Sequence, residues 1–98
     1  PRVSFTRQEL SALMGLYAMR VASGDWRDYA IDREPGMAVF SVYQHTAEQP
    51  LYAIAKLAAT GARPVTYVAF DERGRLKQSA QLGDILALFS YGPRMFQT

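Results

Sequence analysis

Between Trp26 and Tyr43 the chain reads as two strands joined by a proline-glycine turn, and this pair constrains the fold more than any other stretch. Strand geometry sends alternate side chains to opposite faces. Trp26, Asp28, Ala30 and Asp32 therefore share one face, and Arg27, Tyr29, Ile31 and Arg33 share the other. Pro35 presets φ for a turn, and Gly36 accepts the position that needs positive φ. Residues 37 to 44 return antiparallel, with Ala38, Phe40 and Val42 on one face and Met37, Val39, Ser41 and Tyr43 on the other. Apolar groups on both faces mark an internal strand, or one covered by a helix or a partner.

The segments on either side supply the rest of an α+β domain. Thr6 and Glu9 have the spacing of a capping box, and Phe5 and Leu10 hold the two staple positions. Leu10, Leu13, Met14, Tyr17 and Val21 follow at helical spacing as a buried stripe, and Gly24 provides a left-handed exit. Gly15 weakens this helix but permits close approach of a neighbour from the same fold or a partner chain. After a loop from His45 to Pro50, strands are expected over 51–57, 65–70 and 75–78, with Asp71-Glu72-Arg73-Gly74 closing a bulged hairpin. Ser79 caps a last helix with the apolar face Leu82, Ile85, Leu86 and Phe89, ended by Tyr91-Gly92-Pro93. The expectation is a mostly antiparallel sheet of four or five strands, flanked by an N-terminal and a C-terminal helix. Strand order stays open.

Ninety-eight residues make one domain, enough to bury roughly 60 to 65% of the unfolded surface. Residues 91–98 read as an extended tail whose Tyr91, Met95 and Phe96 either seal the sheet or dock on another subunit. The balance of 49% apolar to 20% charged residues is globular. With no cysteine, disulfides, thiolate nucleophiles and iron-sulfur ligation are excluded, which fits a reducing cytoplasm. No apolar run approaches the roughly 20 residues of a membrane span, so no membrane insertion is expected. The net charge of +2 divides unevenly. Residues 1–49 carry five basic and six acidic groups, net −1, and residues 50–98 carry six basic and three acidic groups, net +3.

No catalytic, cofactor or metal pattern stands out. Asp28 and Asp32 share a strand face but lie about 13 Å apart, too far for one acid-base reaction. His45 has no local partner to activate it, and no serine or glycine belongs to a nucleophile elbow or phosphate loop. Two surface clusters remain. Arg27 and Arg33 frame Tyr29 and Ile31, so that with Trp26 and Phe40 they could form a protein interface; the alternative packs Tyr29 and Ile31 inward beneath snorkelling arginines. Arg73, Arg75 and Lys77, joined by Arg63 and with Tyr67 as an aromatic platform, could contact nucleic-acid phosphates or an acidic protein. The same charges would also protect an edge strand from unwanted pairing.

The runs Trp26-Arg27-Asp28-Tyr29-Ala30-Ile31-Asp32, Ala38-Val39-Phe40-Ser41-Val42-Tyr43 and Pro50-Leu51-Tyr52-Ala53-Ile54 resemble a small uncharacterised bacterial protein family found in alphaproteobacteria. The resemblance covers residues 5 to 89 and is weaker after Lys56. It implies a folded module and carries no reaction, substrate or cofactor. The functional expectation is a noncatalytic adaptor or regulatory domain that binds another protein or itself. A nucleic-acid-binding regulator stands second, and a small enzyme third.

Overall fold

Helix α1 (Arg7–Ala22) begins where the capping box places it: the Thr6 hydroxyl accepts the Glu9 N–H, and the Glu9 carboxylate accepts the Thr6 N–H. The computed structural model describes residues 2–45 and 49–90. After α1 come strands β1 (Asp28–Glu34), β2 (Met37–Tyr43), β3 (Tyr52–Leu57), β4 (Thr66–Asp71) and β5 (Gly74–Ser79), then helix α2 (Leu82–Ser90). The strands form one antiparallel meander in the order β1-β2-β3-β4-β5, so β1 and β5 are its edges. The expected packing of Tyr91, Met95 and Phe96 lies outside the described residues.

The hairpin turns follow from their sequences. Gly36 takes φ 79°, the value required at the third position of a type II turn with Pro35 second. Asp71 closes the β4–β5 turn through its side chain, whose Oδ1 accepts the Arg73 and Gly74 N–H groups at 2.8 and 3.1 Å. Ser79 links β5 to α2, accepting the Gln81 N–H and donating to Asp84.

Both helices pack on the same side of the sheet. Leu13 and Leu16 from α1 and Ile85 and Phe89 from α2 meet Ala38, Phe40, Val42, Ile54 and Ala69 in one buried cluster. Register identifies this as the face of Tyr29, Ile31 and Arg33 on β1, Tyr52 and Lys56 on β3 and Tyr67 on β4. Val21, expected in the buried stripe, is 40% exposed. Its inward place is taken by Arg20, whose guanidinium pairs with Asp25 at 2.7 Å and lies 5.9 Å from the Trp26 ring centre. The actual inward line, Leu13, Leu16 and Arg20, runs one step round the helix from Val21.

Trp26 also departs from the expected alternation. The Arg20 carbonyl accepts N–H bonds from both Asp25 and Trp26, folding the chain back against the end of α1 before β1 begins at Asp28. Trp26 thereby turns inward and is 2% exposed, with its ring 5.8 Å from Phe89, 6.4 Å from Tyr52 and 6.5 Å from Tyr17. Tyr29 and Ile31 face the same layer from the sheet edge, so they stay 40% and 43% exposed.

Two stability outcomes follow. Trp26→Ala should cost about 3–5 kcal/mol in urea unfolding, because it empties the junction of both helices and the sheet. A Cβ added at Gly15 meets nothing within 4 Å. The close neighbour expected there is therefore absent among the described residues. Gly15→Ala should raise stability by about 0.5–1 kcal/mol in the same measurement, through helix propensity alone.

Candidate functional site

A five-stranded sheet has two faces, and the helices occupy one. Opposite it, Ala30, Ser41, Ala53, Phe70 and Arg75 form one row across all five strands, from β1 to β5. Asp32, Val39, Ala55, Val68 and Gln78 form the next. Glu34, Met37, Leu57 and Thr66 form a third. No helix or strand among the described residues lies over this open face. Its centre is apolar and closed to solvent: Ala55 and Val68 are 2% and 1% exposed, although neither belongs to the cluster beneath the helices, while Val39, Ala53 and Phe70 around them stay partly exposed. Small side chains at Ser41, Ala53 and Ala55 lie between the larger Val39 and Phe70, which gives the surface relief.

The charges on this face are segregated. On β1 the outward residues Asp28, Asp32 and Glu34 are all acidic, while on β5 the charged outward residue is Arg75. One edge of the apolar patch is therefore negative and the other positive. Arg75 donates from Nη1 to Gln78 Oε1 at 2.9 Å, which keeps its cation beside the same face.

On the helical side, three shallow clefts border the sheet. Arg2, Val3, Arg33, Glu34 and Pro35 line one of about 380 Å³, and Ser4, Phe5, Leu10, Ile31, Arg33 and Ala38 line one of about 220 Å³. The third, about 450 Å³, lies by Val21, Gly24, Trp26, Arg27, Gln44 and His45. Among the described residues no three His, Asp or Glu side chains converge as a metal set, and no helix is long and apolar enough to cross a membrane.

A family model described as a protein of unknown function, DUF2794, matches residues 3–86, which take in α1, the whole sheet and half of α2. The chain belongs to the DUF2794 family. No curated protein and no solved structure matches it.

Within this DUF2794 fold, the residues singled out from the sequence scatter. Trp26 and Phe40 are core side chains and offer no surface to a partner. Arg27, just before β1, and Tyr29 and Arg33 on it are exposed, with the Tyr29 ring held by edge contact with Tyr17 at 4.9 Å and by stacking on Phe40 at 5.7 Å. The basic group divides further. A bulge between the partners of Ala69 and Phe70 pairs Lys77 with Ala69 and Arg75 with Phe70. Consecutive strand residues point opposite ways, so Lys77 lies on the helical face and Arg75 on the open one. Arg63, in the β3–β4 connection, lies at the other end of β4 from Arg73. Tyr67 is half-buried beneath α1.

Tyr67 belongs instead to a polar cluster that sequence reasoning missed. Glu9 Oε1 accepts from Lys56 Nζ at 2.8 Å, and Glu9 Oε2 accepts from the Tyr67 hydroxyl. Lys56 also donates to the Ser4 carbonyl at 3.0 Å. The available signal was Lys56 itself, a cation two residues from Ile54 on an inward strand face, where burial demands a carboxylate. Burial raises the Glu9 pKa, but bonds from Lys56, Tyr67 and the Thr6 N–H, with the charge of Lys56, outweigh it and hold the carboxyl below its ordinary value. Burial and then the Glu9 bond and charge push the Tyr67 hydroxyl up to about 12. A phenol so raised is a poor base at neutral pH. The cluster clamps the start of α1 to β3 and β4.

The clamp predicts pH behaviour of opposite sign at its two ends. Because Tyr67 titrates higher folded than unfolded, its stabilisation is complete below about 10 and disappears as the pH climbs towards about 12. The stabilisation from Glu9 is present above its ordinary carboxylate range and disappears on acidification. In urea titrations across pH, Tyr67→Phe should flatten the alkaline loss, leaving the smaller contribution of Tyr17, whose hydroxyl is also raised by burial beside Asp28 and Tyr29. An unchanged alkaline profile would remove Tyr67 from the clamp.

Proposed function

We propose that this DUF2794 domain is a noncatalytic protein-binding module, an adaptor or regulator, whose contact surface is the open face of its sheet. One observation carries the reading. The face opposite the helices keeps Val39, Ala53 and Phe70 partly exposed around the buried Ala55 and Val68, and has a rim of charges, the composition of a binding patch. Binding through it would cover the partly exposed Val39, Ala53 and Phe70, with edge charges setting orientation.

The expectation that Tyr29 anchors a partner and that Arg27 and Arg33 orient it shifts accordingly. Their strand still contributes, but through the outward carboxylates Asp28, Asp32 and Glu34 on its other face. The side chains carrying most of the contact would be Phe70 and Val39, with Ser41 and Ala53 providing the hollow that receives a partner's side chain.

Photocrosslinking tests this placement. A photoreactive residue replacing Phe70 should give discrete protein adducts in native lysate that survive nuclease treatment. The same residue at Met19, exposed on the outer side of α1, should not. Adducts from Met19 but none from Phe70 would move the binding surface to the helix. Recovery lost on nuclease treatment would favour a nucleic-acid partner instead.

A further inference from the structure

We propose that the outer edge of β1 takes one more strand, an extended peptide of another protein in which basic and apolar residues alternate. The inference concerns the edge of the sheet and stands independently of its open face.

Antiparallel neighbours exchange backbone bonds at every second residue, and the residues between point their N–H and C=O groups the other way. Bonds at the ends of β2 fix which residues those are. The Tyr43 carbonyl accepts from Arg27 on the β1 side, whereas the Val42 and Gly36 carbonyls accept from Leu51 and Ala58 on the β3 side. Odd-numbered residues of β2 therefore bond β1, and their partners there are Asp28, Ala30, Asp32 and Glu34. Tyr29, Ile31 and Arg33 are left facing away from the sheet. The Tyr29 N–H is already taken, donating to Asp28 Oδ1 at 2.8 Å. The N–H groups of Ile31 and Arg33, and the carbonyls of Tyr29, Ile31 and Arg33, have no partner among the described residues. Every residue of β1 is exposed except the half-buried Ala30. A short ladder of donors and acceptors thus stands open.

The two sides of β1 determine what fits this ladder. On the open side an added strand runs beside Asp28, Asp32 and Glu34, which call for Lys or Arg. On the helical side it runs beside Tyr29 and Ile31, 40% and 43% exposed, next to the cleft of about 220 Å³ that Phe5 and Leu10 line with Ile31. Apolar residues belong there. Main-chain bonds supply affinity in such strand addition, and alternate side chains supply specificity. The chain itself does not provide this strand. Two copies of β1 set antiparallel about Ile31 would oppose Asp28 to Glu34 on both sides of the axis. On β5, Arg75 and Lys77 point to opposite faces, so its basic residues do not share a side. The carboxylates guard this edge against its own kind and leave it open to a basic strand.

Amide NMR on the 98-residue chain tests the proposal with the synthetic peptide acetyl-Lys-Val-Lys-Val-Lys-Val-Lys-amide and its counterpart with Glu for Lys. The basic peptide should bind and slow hydrogen exchange at the Ile31 and Arg33 amides, and the acidic one should not. In this pairing the valine N–H groups face β1 and the lysine N–H groups face away. N-methylation of the valines should therefore weaken binding about tenfold or more, and N-methylation of the lysines should leave it nearly unchanged. Asp32→Lys, at an exposed side chain, should also weaken it about tenfold. Ile31→Pro removes a free N–H without touching a bond to β2, so it should keep the fold by circular dichroism and lose the peptide. Should that variant fail to fold, the methylated peptides make the same test. No binding into the millimolar range overturns the proposal, as does binding that leaves exchange at Ile31 and Arg33 unchanged, or an equal loss from both methylations. Protection of those two amides by self-association of the free chain would overturn it in favour of a second copy.

Discussion

Leu13 and Leu16 of α1 and Ile85 and Phe89 of α2 meet the same inward rows of the sheet, and everything else in the molecule depends on that shared choice. Two helices could have covered two faces, one each. Instead the meander delivers both to one side, where Phe40, Ile54 and Ala69 form the floor between them. A small domain gains most by joining its apolar stripes into one cluster, since surface grows relative to volume as cores shrink. The consequence is a sheet with one face beneath both helices and the other without a helix among the described residues.

Two devices hold the helical layer in register. At the start of α1, Glu9 serves the capping box, the Lys56 ion pair and the Tyr67 bond together, so one carboxylate ties the helix N-terminus to β3 and β4. At its end, the Arg20 carbonyl and guanidinium gather Asp25 and Trp26, and the indole reaches Tyr52 and Phe89. The helix is thus fastened at both ends. Between them, the outward side carries small residues and Gly15 meets only open space.

The open face has a different chemistry. Its apolar centre comes from β2, β3 and β4, strands with apolar groups pointing both ways, and its rim comes from edge strands that carry opposite charges. Edge charges commonly discourage strand-to-strand association. Here those on the outward side of β1 and β5 also flank the patch, so they can orient whatever covers it.

Local chemistry in the chain was enough to determine the elements. The capping box set the start of α1, Pro35-Gly36 set the first hairpin, and period-two alternation set the faces of β2 and β4, because each signal acts within a few residues. Apolar residues on both sides of β2 already announced an internal strand. Tertiary structure alone decided which side the helices took, and with it that Trp26 and Phe40 were core rather than contact surface. It also inserted the bulge that sends Arg75 and Lys77 to opposite faces and exchanged Val21 for Arg20 on the inward line. The physical reason is the same in each case. A bulge, a helix's rotation on its sheet and the choice of face are settled by packing between segments distant in the chain, and no short window of sequence contains that competition.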